Sequence, residues 1–137
     1  MIKKLRRASV LLLLLLSFMS FGFSVTGFAA PVPGQDLGIF KLTAYCPCSI
    51  CCGEYAGGPT ASGVYPTAGQ TIAVDPDVIP LGSWVDIYLQ GYGWCRFRAE
   101  DTGSAIKGND IDIYVPIHAA ANFEPFNGYA QVRYVGY

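Results

Sequence analysis

Charge is scarce in this sequence. Charged residues make up 14% of the 137 positions and hydrophobic residues 52%. A chain with that balance can bury a core, which excludes intrinsic disorder. Basic residues become scarcer still once the N-terminus is set aside. The first 29 residues hold Lys3, Lys4, Arg6 and Arg7 and no acid, so the remainder carries five basic against ten acidic residues, a net charge of −5. Nucleic-acid binding needs the opposite footprint and is excluded. Histidine occurs once, as His118, in a segment without motif character. That argues against a cysteine nucleophile working with a histidine base and makes His118 a structural residue. Internal repeats and low-complexity tracts are absent. Residues 30–137 contain 14 glycines and all 9 prolines, which leaves little space for long helices. The length is room for one domain.

The basic N-terminus is followed by an apolar run with six leucines at 11–16 and then by Gly27-Phe28-Ala29. This is the layout of a secretory signal peptide over 1–29, cut after Ala29, and it predicts an extracytoplasmic domain. An uncleaved anchor is the other reading, because the stretch from Ala8 to Ala30 is long enough to span a bilayer. Residues 30–38 read as a short linker and 39–137 as the domain.

Short β-type runs recur through that domain. Ile39–Cys46 alternates, with Phe40, Leu42 and Ala44 on one face. Thr71–Val74, Trp84–Leu89, Trp94–Ala99, Ile111–Val115 and Ala130–Val135 follow, separated by Gly/Pro turns. Six short strands predict an all-β barrel or sandwich. One short helix is expected at His118–Phe123, after Pro116.

Three aspartates sit at strand ends beside turn residues: Asp75, Asp101 and Asp112. A loop with two glycines joins the strands that carry the last two, and those strands are expected to be neighbours. Two carboxylates sharing a partly dry site cannot both ionise easily, so one is held protonated. A protonated carboxyl is the general acid that glycosidic bond cleavage needs. Turn-forming aspartates look the same in sequence.

The segments Thr43-Ala44-Tyr45, Thr60-Ala61-Ser62-Gly63, Thr71-Ile72-Ala73-Val74-Asp75-Pro76, Ile79-Pro80-Leu81-Gly82, Glu100-Asp101-Thr102-Gly103, Ala105-Ile106-Lys107-Gly108 and Ile111-Asp112-Ile113-Tyr114 follow one another in order. Together they resemble the 3D domain family, named for three aspartates, and the catalytic part of membrane-bound lytic transglycosylase A. The resemblance runs from about Thr43 to Val135. It implies a six-stranded double-psi β-barrel and cleavage of peptidoglycan glycan strands, between MurNAc and GlcNAc, with formation of 1,6-anhydro-MurNAc. By motif the general acid/base falls on Asp112, its supporting aspartate on Asp101 and the third on Asp75. Tyr45, Thr60 and Ser62 are candidates to line the groove, and Lys107 to meet a substrate carboxylate. The implied chemistry needs no cofactor and no metal, the expected partner is peptidoglycan, and a secreted, wall-associated monomer is expected. Glu100 is expected to face away from Asp101, because strand side chains alternate.

Cys46, Cys48, Cys51 and Cys52 crowd together, and Cys95 stands alone on a strand. In an exported protein disulfides are the first expectation. The odd count leaves at least one thiol over. Zinc binding through thiolates is a second possibility, and a reduced cluster a third. The cluster also resembles a subset of secreted 3D-domain proteins.

Two other functions compete. Asp101-Thr102-Gly103 matches the Asp-Thr-Gly of pepsin-like proteases, but Arg98, Ala99 and Glu100 precede it where apolar residues belong. A non-catalytic glycan-binding or wall-loosening module is the stronger alternative, with Tyr55, Tyr65, Trp84, Tyr88, Tyr92 and Trp94 as stacking surfaces.

Overall fold

The computed structural model describes residues 29–137, so the signal peptide expected over 1–29 lies outside the described residues but for Ala29. Among the described residues no helix is long and apolar enough to cross a membrane.

The alternating runs form strands β1 (Asp36–Tyr45), β2 (Thr71–Val74), β3 (Trp84–Leu89), β4 (Gly93–Asp101), β5 (Asp110–Tyr114) and β6 (Gly128–Gly136). They close into a barrel in the order β1-β5-β2-β4-β3-β6. Two pairings, β1 with β5 and β2 with β4, are parallel, and the others are antiparallel. This mixed, closed barrel is the double-psi barrel that the sequence resemblance implies. Closure leaves no strand edge unpaired.

Alternation decides what lines the core. Phe40 and Leu42 of β1, Val85 and Ile87 of β3, Ile111 and Ile113 of β5, and Val132 and Tyr134 of β6 point inward and are buried. Each fully buried aliphatic side chain contributes about 1.5–3 kcal/mol of transfer free energy. β2 is different: all four of its residues are buried, Ile72 and Val74 in the core and Thr71 against Glu100 on the other face.

Two expectations are corrected. β4 and β5 are not neighbours, since β2 inserts between them and pairs with both. The segment expected to be the short helix is 3-10 helical over His118–Asn122, and among the described residues the α-helix, α1, is instead Ser49–Cys52 in the cysteine cluster.

Candidate active site

The insertion of β2 does not separate the two aspartates; it aligns them. Thr43 on β1 pairs with Asp112 on β5, Asp112 pairs with Ala73 on β2, and Ala73 pairs with Asp101 on β4. Directly paired residues share a face of the sheet, so these four form one row across four strands. Ala73 stands between the two carboxylates, and its small side chain helps floor a groove of about 760 Å³ that Asp101 and Asp112 also line.

A β-bulge makes this row possible. Ile72 pairs with Ala99, yet the next residue, Ala73, pairs with Asp101, so Glu100 is skipped. Bulges re-aim side chains in this way. Asp101 is turned to the groove, while Glu100 is 4% exposed and accepts a hydrogen bond from Thr71 Oγ1 at 2.6 Å. Gln70 Nε2 also donates to it, at 3.4 Å, and Arg98 lies 3.6 Å away. Thr71 and Ala73 share a face of β2, so Glu100, bonded to Thr71, lies on the same side of the sheet as Asp101, and the expectation that it faces away is corrected: the bulge interrupts the alternation.

The two aspartates have different surroundings. Burial pushes the Asp112 carboxyl above the ordinary carboxylate range, and the charge of Asp101 adds to the shift. Thr43 Oγ1 donates to Asp112 Oδ1 at 2.8 Å and opposes it. Asp101 is an acceptor on all sides: Tyr45 Oη donates to Oδ2 at 2.9 Å, and the N–H groups of Ala61 and Thr102 donate to Oδ1, each at 2.9 Å. Burial, and then the charge of Asp101, raise the Tyr45 phenol, so it stays a donor. Tyr45 also packs edge-on against Tyr114, with ring centroids 5.5 Å apart.

The remaining candidates divide. Thr60 lines the groove and closes a tight turn by donating from Oγ1 to the Val64 carbonyl at 2.9 Å. Ser62 ties that turn to β4: its Oγ donates to the Glu100 carbonyl at 2.7 Å. The turn thereby carries the Ala61 N–H to Asp101. Asp75 is not in the groove. It accepts from the Gly108 N–H at 2.8 Å and the Asp77 N–H at 3.1 Å, which hold its carboxyl below the usual range, helped by Lys107. Lys107 likewise lies outside the groove lining. Asp75 thus braces the loop between β4 and β5. In that loop Gly103 leaves room for Ile106, since a Cβ there would lie 3.0 Å from Ile106 Cγ1.

Sequence reasoning missed Thr43, Ala73 and Tyr114 as site residues. Thr43 and Tyr114 stand in recognised segments and two residues from named candidates on alternating strands, which is the signal that could have found them. Of the proposed stacking aromatics, Tyr55 lines this groove, while Tyr65, Trp84, Tyr88, Tyr92 and Trp94 do not.

The cysteines form no disulfide; all five are free thiols. This corrects the first expectation for the cluster. Cys46, Cys48 and Cys51 instead converge with His118, their ligand atoms all within 4.8 Å of one another. Among the described residues these four are the group placed to hold a metal, which joins His118 to the thiolates that sequence analysis raised as a second possibility for zinc.

Fold and site together define a small double-psi barrel with a carboxylate-floored groove. Residues 70–132 match the family model described as the 3D domain. YabE of Bacillus subtilis, named for cell wall shaping, is 49% identical over 80 residues, covering 58% of this chain and 18% of YabE. The cell wall-binding protein YocH of the same organism is 51% identical over 69 residues, covering 47% of this chain and 22% of YocH. The chain thus spans about a fifth of the length of these relatives. Among solved structures, MltA from E. coli is 28% identical with a TM-score of 0.49, over 58% of this chain and 27% of MltA.

Proposed function

We propose that this domain is a peptidoglycan lytic transglycosylase, acting outside the cytoplasm in cell-wall turnover. The observation that carries the reading is the environment of Asp112: a carboxyl pushed toward its neutral form by burial and by Asp101, on the floor of an open groove. Names of relatives for cell wall shaping and cell wall binding support the substrate class and the location.

In this reading neutral Asp112 donates its proton to the glycosidic oxygen between MurNAc and GlcNAc as that bond breaks. Positive charge develops on the MurNAc ring. Asp101, steadied by Tyr45 and two backbone N–H groups, supplies a fixed negative field toward it. The Asp112 carboxylate then takes the proton from the 6-hydroxyl of the same sugar as that oxygen closes onto C1. One residue serves as acid and then as base, and the product is a 1,6-anhydro sugar. Glu100 is buried, held by Thr71 and outside the groove lining, so it is badly placed to activate a water for hydrolysis.

Digestion of purified sacculi tests the reading. Released muropeptides should end in 1,6-anhydro-MurNAc and resist borohydride reduction. Reducible ends would make the enzyme a hydrolase. Sacculus binding without any release would make the groove a binding site only, the reading that the name of YocH favours.

A further inference from the structure

We propose that Cys46, Cys48, Cys51 and His118 form a structural zinc site that holds the loop side of the groove.

The topology brings the four ligands together. β1 and β5 run parallel, and Tyr45 pairs with Tyr114, so both strands leave the barrel at the same end and level. Cys46 directly follows Tyr45, and His118 comes four residues after Tyr114. The Val115 N–H donates to the Tyr45 carbonyl at 2.8 Å and keeps the two exits side by side. Cys48 and Cys51 flank the start and the third position of α1, which returns the chain over Cys46.

The spacing fits a tetrahedral ion. His118 Nδ1 lies 3.6 Å from Cys46 Sγ, 3.5 Å from Cys48 Sγ and 3.6 Å from Cys51 Sγ. With Zn–S near 2.3 Å and Zn–N near 2.0–2.1 Å, a tetrahedron puts sulfur and nitrogen about 3.5–3.6 Å apart. The Cys46–Cys51 edge is 3.5 Å, against about 3.7–3.8 Å in the same tetrahedron. The Cys46–Cys48 edge, at 2.9 Å, is shorter. Three thiolates and one imidazole make a closed ligand set, which marks a structural rather than a catalytic zinc. On binding, the three thiols release their protons to solvent and His118 binds as neutral imidazole through Nδ1.

The neighbouring cysteines are sorted by the same geometry. Successive residues of a helix diverge by about 100°, so Cys52 cannot share the site with Cys51. Its Sγ instead donates to the Cys46 carbonyl at 3.1 Å, and Cys52 faces the groove. Cys95 stands on β4, outside the cluster.

The loop needs such a clamp. Neither α1, nor the 3-10 turn Gly53–Tyr55, nor the turn His118–Asn122 buries a single residue. No apolar core secures them, yet Pro47, Cys51, Cys52 and Tyr55 form groove wall. A metal supplies the folding free energy that the missing core does not.

The test is made on the full chain purified without metal additions and under conditions that keep thiols reduced. Elemental analysis should find one zinc per chain. X-ray absorption at the zinc edge of the wild-type protein should show three sulfurs and one nitrogen, a readout independent of how any variant folds and of any activity. Cys46→Ser and His118→Ala should lose the zinc, while Cys52→Ser and Cys95→Ser should keep it. Chelation should speed amide exchange across 46–56 and 117–122 and leave the barrel strands protected. Protein that holds no zinc, a shell lacking the three sulfurs, or disulfide-linked peptides joining Cys46, Cys48 or Cys51 in freshly purified chain would each overturn the site.

Discussion

One side of the groove is barrel and the other is loop. On the barrel side Thr43, Asp112, Ala73 and Asp101 take their places from strand register, backed by inward neighbours such as Ile111, Ile113 and Ile72 that are fully buried. On the loop side, residues 46–66 include two buried residues, Cys46 and Thr60, and the chain is held by turns, side-chain hydrogen bonds and the thiol cluster. The difference separates two tasks. Groups whose separation and protonation matter stand on rigid elements, while the surface that meets an extended polymer is carried by a short, coreless segment.

The largest effect should come from the barrel side. Asp112→Asn should lower turnover by about 10²–10⁴-fold, the usual loss of a general acid. It should not lower stability at neutral pH. The folded carboxyl binds its proton more tightly than the unfolded chain does, so stability is lost as pH rises from the ordinary carboxylate range through the folded value. The asparagine removes that loss. The variant should therefore melt at or above the wild type at neutral pH, and the gain should vanish below the ordinary carboxylate range. Kinetics and thermal melting at two pH values check both halves. A large drop in melting temperature at neutral pH would refute this account of Asp112.

A neighbouring pair sharpens the comparison along a single strand. Glu100→Gln keeps the shape but weakens the buried bond with Thr71. A cost of about 1–3 kcal/mol is expected. Turnover should change by less than about tenfold, because Thr71 holds the side chain outside the groove lining. Asp101→Asn should do the reverse, with turnover falling far more than stability. Matched kinetics and melting curves for the two variants decide the point; equal losses of turnover would contradict the role of the bulge.

The smallest effect concerns Thr43. Its hydrogen bond lowers the Asp112 value, so Thr43→Val should raise it. The alkaline fall of kcat/KM should then move to higher pH with little change in the maximum. A shift to lower pH would place the controlling proton elsewhere.

Much of this was legible in the residues. Alternation in Phe40-x-Leu42 and Val85-x-Ile87 located strands and their inward faces, because burial on one side of a strand imposes period two. Asp101 and Asp112 were legible as a pair from their motif segments. Three features were not. The insertion of β2 between β4 and β5 is a long-range pairing, and nothing local in Thr71–Val74 specifies its neighbours. The bulge at Glu100 is a matter of register, and register depends on the partner strand. His118 looked isolated because its cysteine partners lie some 70 positions away in sequence. They meet through the parallel alignment of β1 and β5.

The strand order also carries a consequence for how this molecule comes into being. Along the chain, β3 and β4 are consecutive strands that pair, in a hairpin turned at Gly91. The other pairings join strands far apart in sequence, and the closing one sets Asp36 against Arg133. A chain emerging in order can form the hairpin early, but β1 and β3 both wait for β6, their shared partner. Loop-closure entropy must be met before those contacts form, which makes such topologies slow to fold. Until Gly128–Gly136 arrives, the nascent barrel presents two open edges, so a chain truncated ahead of that strand is exposed to edge-to-edge association with its copies.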